Sequence, residues 1–250
     1  MRFALLAFAA ALLLVGCGGD DEATTTETTT TTPPVEAVVF KVYWLRDGKV
    51  WPVLREVEQT EAVATAALAE LKAGPSDEEE SELAAETALT EDVQLDSLSI
   101  SDGVARSSSS TDLSVEAQAQ VVYTLTQFST VVSVEIDGAP VTRLDFEDQT
   151  PSVLVESPLP FEEVSSPLTA SGTANTFEAT FSFEILDSGG EIVASDFVTA
   201  TSGTGTRGTF DFSQPFVVDS DQTGSLVVFE LSAEDGSRIN EVEIPLELRE

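Results

Sequence analysis

Carboxylates are the reactive groups that this sequence has in quantity: 45 Asp and Glu stand against 11 Lys and Arg, with no His and one Cys. Catalysis by carboxylates alone, as in glycoside hydrolysis, needs one acid of raised pKa and one ionised partner at a set separation. At this density neighbours such as Glu162-Glu163 are inevitable, and spacing does not distinguish them from solvated surface. Without His the chain lacks the commonest zinc ligand and the usual general base of Ser and Cys hydrolases. The three lysines, Lys41, Lys49 and Lys72, never follow a Ser by three positions, so no Ser-Lys nucleophile is indicated. Two further spacings suggest ligands. Asp219-Ser220-Asp221-Gln222-Thr223-Gly224 followed by Glu230 has the spacing of an EF-hand loop, which makes Asp219 and Asp221 candidate calcium ligands. Such a loop joins two helices, whereas this one joins apolar runs of strand type, which favours Glu230 on a strand rather than curled back as a ligand. Gly203-Thr204-Gly205-Thr206-Arg207-Gly208 satisfies G-x-G-x-x-G, yet Thr209 to Phe212 alternates where a dinucleotide site needs a helix. A glycine-rich loop between strands is the expectation there, and no cofactor is expected.

The one thiol has a more specific setting. Met1 and Arg2 precede an apolar run from Phe3 to Val15, too short for a permanent membrane span and of the length of a secretory signal. The run ends Leu14-Val15-Gly16-Cys17, which resembles the bacterial lipobox. That resemblance implies cleavage between Gly16 and Cys17, a diacylglyceryl group on the Cys17 sulfur and palmitate-type acyl chains. At ~0.8 kcal/mol per buried CH₂, two or more chains anchor a protein stably. With no second Cys, no disulfide competes for this thiol. The expectation is a signal peptide over 1–16 and an acylated protein on the outer face of the cell membrane.

The charge limits what that protein can meet. Loss of residues 1–16 removes one Arg and no acid, leaving 10 bases against 45 acids. So acidic a surface repels phosphate, which argues against nucleic acid as a partner and leaves the lipid to hold the membrane unaided. High acidity fits either a saline habitat or ordinary drift in an exported chain.

Residues 17–36 run through Gly, Asp and a nearly unbroken Thr24 to Thr32 into Pro33-Pro34. Such a stretch buries no apolar surface and reads as a disordered stalk, on the order of 25 Å end to end for roughly 20 residues. Beyond it, Val38 to Leu45 and Val50 to Leu54 flank Asp47-Gly48, a hairpin signal for a tight I′ turn. Tyr43, Trp44 and Trp51 lie on these runs, either as an exposed sugar-stacking face or packed into the core; alternation requires one side to be core. Thr60 to Ala73 has helical spacing and stops at Gly74-Pro75, and Ser76 with Glu79 forms a capping box that starts a second helix through Glu86. Val93 to Ile100 and Gly103 to Asp112 flank Asp102-Gly103. Val115 to Phe128 is helical, and Val132 to Ile136 is a strand before a third Asp-Gly turn at Asp137-Gly138. Helices interspersed with hairpins indicate an α+β module over 37–146. After Asp145 to Thr150 the helical period vanishes, and seven short strand candidates fill 151–250, as an all-β immunoglobulin-like sandwich requires. Phe177, Phe181 and Phe183 are the candidates to fill its core.

Several of these segments also resemble a known family. Tyr43-Trp44-Leu45, Ala73-Gly74-Pro75, Ser99 to Ala105 and, most specifically, Gln120-Val121-Val122-Tyr123-Thr124-Leu125-Thr126-Gln127-Phe128 look like the GerMN domain of sporulation and germination proteins. The resemblance implies a small module related to ring-building motifs, with no catalytic residues and a tendency to self-associate into homo-oligomers. Ser107 to Ser110 departs from the family's alternating strand and marks a candidate edge. Val155 to Pro160, Val164 to Ala174, Phe177 to Phe181, Arg207 to Phe210 and Leu226 to Ser237 resemble the immunoglobulin-like domain associated with bacterial spore germination. Together they imply a non-catalytic, lipid-anchored envelope component that binds or scaffolds other envelope proteins or cell-wall polymer. A ligand-capturing cleft between the modules is the second reading, and a carboxylate hydrolase the third.

Overall fold

The computed structural model describes residues 36–90, 92–95 and 98–250. Gly16, Cys17 and the Thr-rich stretch lie outside these residues, apart from Glu36, whose carbonyl accepts from the Gln59 backbone N–H at 2.9 Å.

The N-terminal module is α+β. Strands β1 (Ala37–Arg46) and β2 (Lys49–Glu58) pair antiparallel from Ala37↔Glu58 to Arg46↔Lys49. Asp47 and Gly48 form the two-residue connection, with φ of 51° and 72°, the left-handed region that this dipeptide tolerates. Helices α1 (Val63–Ala73) and α2 (Asp77–Leu83) follow, and the Ser76/Glu79 capping box is formed in both directions. The second helix stops at Leu83, short of the expected Glu86: Ala84 turns left-handed, and Glu86 bridges to Leu45 instead. Strands β3 (Ser99–Ser101) and β4 (Val104–Ser107) flank a second left-handed Asp-Gly pair, Asp102-Gly103. After helix α3 (Val115–Leu125), strand β5 (Ser133–Ile136) adds parallel to β4. One expectation fails here: β4 is the middle strand of the order β3-β4-β5 rather than an edge. Asp137-Gly138 does turn the chain, as part of a loop wider than a two-residue hairpin, across which Val134 and Val141 exchange backbone hydrogen bonds of 2.9 and 2.8 Å.

Helix α3 does for β1 what a third strand would otherwise do. Thr124 Oγ1 accepts from the Tyr43 N–H (3.2 Å), and Gln120 Nε2 donates to the Tyr43 carbonyl (3.0 Å). Gln127 accepts from the Lys41 N–H (2.7 Å) and donates to the Lys41 carbonyl (2.6 Å). Positions 120, 124 and 127 share one helical face, while 41 and 43 are alternate strand residues whose backbone groups point the same way. The free edge of β1 is thus satisfied by side chains, and this gives a physical role to the Gln120 to Phe128 segment. Tyr43, Trp44 and Trp51 are buried, so they form core and not a sugar platform. Trp44 Nε1 and both terminal nitrogens of Arg55 converge on the buried Glu79 carboxylate, which ties α2 to the hairpin.

A 3-10 segment, Arg143–Gln149, leads into the sandwich. One sheet has the order β10-β9-β12-β13-β7 and the other β11-β8-β6. Their strands are β6 (Val153–Ser157), β7 (Glu163–Ser165), β8 (Leu168–Ala174), β9 (Thr180–Leu186), β10 (Ile192–Thr199), β11 (Gly208–Gln214), β12 (Gln222–Leu231) and β13 (Arg238–Arg249). The eighth strand, the three-residue β7, carries too little pattern to be read from sequence. Phe181 and Phe210 meet edge-to-face at 4.9 Å, and Phe183 stacks on Phe212 at 4.3 Å, joining the two sheets through the core. Phe177 does not join them: it lies on a 3-10 turn and is 64% exposed.

Candidate functional site

The polar groups that converge lie where the two modules meet. Glu156, on β6, receives Lys41 Nζ (2.5 Å) and the Tyr43 hydroxyl (2.6 Å) on one carboxylate oxygen and Arg143 Nη1 (2.7 Å) on the other. Each position follows from its element. Lys41 and Tyr43 are alternate residues of β1 and project to one face. Arg143 opens the 3-10 segment, and its remaining nitrogens reach Thr126 Oγ1 (2.8 Å), the Tyr123 carbonyl (3.0 Å) and the Tyr43 hydroxyl (3.3 Å). Its guanidinium also lies 4.5 Å from the Tyr123 ring centroid and 5.3 Å from that of Tyr43.

The electrostatics follow from burial and pairing. Burial opposes ionisation of Glu156, but the Arg143 and Lys41 charges and the Lys41 and Tyr43 donors outweigh it and hold its pKa below the ordinary value. Burial, followed by the Glu156 charge, raises the Tyr43 phenol well above its usual value. Burial works against the charge of Arg143, and Tyr43 and Glu156 more than restore it. A second junction is formed by Glu147, which accepts from Arg207 Nε and Nη2 (2.9 Å each) and from Asn175 Nδ2 (2.8 Å). The Arg207 hydrogen bonds, followed by opposing desolvation, lower its pKa. Arg46 adds a bond from Nη1 to the Glu243 carbonyl (3.4 Å). Three of the ten bases after residue 16 therefore reach from one module to the other, and Arg207 reaches the segment that joins them.

Lys41, Arg143 and Glu156 line a cleft of about 900 Å³ together with Thr209 and Asp211 of β11 and with Val132 and Leu144 of the N-terminal module. Val132 is 71% and Leu144 77% exposed. Glu156 is shared by Lys41, Tyr43 and Arg143, and Arg143 also donates to Thr126 and the Tyr123 carbonyl. This arrangement can hold two modules in fixed relation and offer an open surface. Glu156, held ionised by its partners, is unsuited to be the protonated acid of a glycosidase pair. Among the described residues, every carboxyl with a displaced pKa is displaced downwards: Glu79, Glu147, Glu156, Glu163 and Asp235.

The residues singled out in the sequence lie elsewhere. Asp219 and Asp221 precede β12; Asp221 accepts from the Glu250 backbone N–H (3.1 Å) and lies 3.9 Å from Arg249. Glu230 stands near the far end of β12, roughly 30 Å along the strand from Asp221 at ~3.3 Å per residue, and accepts from the Phe177 N–H and Asn240. The strand thus keeps the three acids from closing an EF-hand. Among the described residues no group of three or more acids or Cys could hold a metal ion. Glu162 caps the Leu159 N–H and Glu163 pairs with Arg249, so that acidic pair is structural. Gly203 to Arg207 lies in the loop between β10 and β11, and Gly208 opens β11. A Cβ on Gly203 would lie 2.5 Å from the Thr176 carbonyl oxygen, so this glycine serves close packing of the loop. Sequence reading missed Glu156, Arg143 and Lys41 as a group.

Residues 41–142 match the family described as "Sporulation and spore germination", and residues 152–237 match "Immunoglobulin-like domain of bacterial spore germination". The chain is thus similar to two domain families of spore germination, one over each module. The seam just described is the junction between them. Among solved structures, the chain is similar to the tandem GerMN domains of the sporulation protein GerM from Bacillus subtilis. The identity is 25% and the TM-score 0.37, over 47% of this chain and 49% of that one. The chain thus spans about half the length of that relative. The first GerMN domain of the same protein matches at 22% identity and TM-score 0.29, over 42% of this chain and 86% of that one. CopC from Methylosinus trichosporium OB3b matches at 17% identity and TM-score 0.24, over 39% and 93% respectively. No curated protein matches.

Proposed function

We propose that this germination-type protein is a non-catalytic binding and scaffolding component of the cell envelope, held to the membrane by acyl chains on Cys17. The observation that carries the binding reading is the sharing of Glu156 by Lys41, Tyr43 and Arg143 from the other module. A joint satisfied from both sides fixes the germination-type and immunoglobulin-like domains as one body, which suits holding partners in register more than turning over a substrate. The open cleft, lined in part by Val132 and Leu144, is the surface proposed to meet an envelope protein or wall polymer. Bare aliphatic side chains beside polar ones are the composition of a contact surface. The lipobox-like Leu14 to Cys17 supports the anchor.

Two measurements test this reading. Intact-mass analysis of the membrane fraction should find a diacylglyceryl Cys17, and Cys17→Ser should release the protein from that fraction. A photo-crosslinking residue at position 144 should form a defined adduct in cells that the same residue at 217, also an exposed apolar position on the sandwich, does not. An unmodified Cys17 removes the anchor from the proposal; equal adducts at both positions remove the cleft.

A further inference from the structure

Six of the seven arginines among the described residues, all but Arg46, meet a carboxylate at ion-pair distance. In so acidic a chain an Arg without an acid partner requires a reason. Arg46 sits directly opposite Lys49 at the end of the first hairpin, a like-charge pairing that works against the strand register. Both give hydrogen bonds only to carbonyls, Arg46 to Glu243 and Lys49 to Asp148. Lys49 acts on Glu147 at longer range, lowering its pKa, without forming an ion pair.

The two cations line a cleft of about 350 Å³ between the modules, on which the Thr150–Pro151–Ser152 connector and residues 240–242 of β13 also border. Trp51 lines it as well. This residue is only 6% exposed, and its indole Nε1 is buried with no hydrogen-bond partner. Buried donors are nearly always satisfied, so an orphan beside a cleft sets this one apart. The Arg46 guanidinium lies 4.9 Å from the Trp51 ring centroid, bringing the unpaired cation and the unpaired donor side chain together. At the rim stand two exposed acids, Asp47 and Glu241, of which Glu241 has only a long contact of 3.7 Å to Arg238.

We propose that this cleft binds a small zwitterion of the amino-acid or short-peptide class. Its carboxylate faces Arg46 and Lys49 beside the Trp51 ring, and its ammonium group faces Asp47 and Glu241. A simple anion would meet the repulsion of the whole acidic surface, while a ligand of zero net charge escapes it. The volume lies at the small end of the ligand-pocket range of roughly 300–1,000 Å³, which suits one or two residues. The inference goes beyond the scaffolding role and does not rest on it.

The two tryptophans give the test its reporter and its control. Trp44 Nε1 is already bound to Glu79, so the ¹H–¹⁵N indole signal of Trp51 should move saturably on titration with glycylglycine while that of Trp44 stays still. Glycinamide, which lacks the carboxylate, and N-acetylglycine, which lacks the ammonium, should each bind at least about tenfold more weakly. Arg46→Gln combined with Lys49→Gln should abolish the movement with the rest of the spectrum retained. No saturable movement of the Trp51 signal overturns the site, as does an unchanged response in the double variant. Equal binding of N-acetylglycine or of glycinamide overturns the zwitterion. The wild-type titrations decide the question even if the double variant fails to fold.

Discussion

Replacing Gln120 by Met tests whether side chains truly substitute for a missing strand. Gln120 is fully buried; its amide donates to the Tyr43 carbonyl at 3.0 Å, and its oxygen accepts from the Ala88 N–H at 2.8 Å and more weakly from the Thr87 hydroxyl at 3.4 Å. Methionine fills nearly the same volume, so no large cavity opens. What changes is that the buried Tyr43 carbonyl and the N–H of the half-buried Ala88 lose their partners, at about 1–3 kcal/mol each for fully buried groups. Relief from burying the amide itself offsets part of this, so we expect a loss of about 3 kcal/mol. For a chain of this size that corresponds to a fall in Tm of about 6–12 °C. Urea unfolding measures the loss, and amide exchange at Ala88 locates it, since that N–H should become the exposed donor. Gln118, half-buried on the same helix and bonded only to the Leu113 carbonyl, is the control, and Gln118→Met should cost under about 1 kcal/mol. Equal losses for the two variants, or unchanged exchange at Ala88, would refute the account of α3 as a surrogate strand.

Glu156→Gln should uncouple the modules: Lys41 and Arg143 lose their shared carboxylate at a joint that is largely, not wholly, buried, for a cost of about 2 kcal/mol, visible as separation of one unfolding transition into two. The same joint sets a pH dependence. The pKa of Glu156 is depressed in the folded state, so its contribution is complete above the ordinary Glu value of about 4.3 and disappears as pH falls through the lower, folded value. Thermal melts of wild type should therefore fall more steeply than those of Glu156→Gln in acid below about pH 4, and parallel curves would contradict this. Ser76→Ala should cost about 1 kcal/mol through loss of the α2 cap, and an unchanged urea midpoint would show that the capping box is dispensable.

How much was legible depended on how far apart the interacting residues lie. Asp47-Gly48, Asp102-Gly103 and the Ser76/Glu79 box act within a few positions, and each forms as its residues suggest. Asp137-Gly138 carries the same local signal and also reverses the chain, but through a wider loop in which Val134 of β5 pairs antiparallel with Val141. Phe177 alternates with Phe181 and Phe183 in sequence, but a 3-10 turn precedes β9 and takes it out of phase with the core. The joint around Glu156 was not legible: its partners are 13 to 115 residues away, and one acid among 45 has no local mark. A fainter signal did exist in the bases, since Lys41, Arg46 and Lys49 crowd the first hairpin of a chain that has few to distribute.

That economy of positive charge separates two responses to salt. Most of the arginines are engaged with carboxylates, so acids far outnumber bases on the skin turned to solvent, and two copies meeting in dilute buffer push each other apart. Added electrolyte shortens the reach of that repulsion from ~30 Å at 0.01 M to ~10 Å at 0.1 M, while the contacts inside the joint, shielded by the fold, feel it far less. Ionic strength should thus govern how closely molecules crowd on a surface well before it alters the molecule itself.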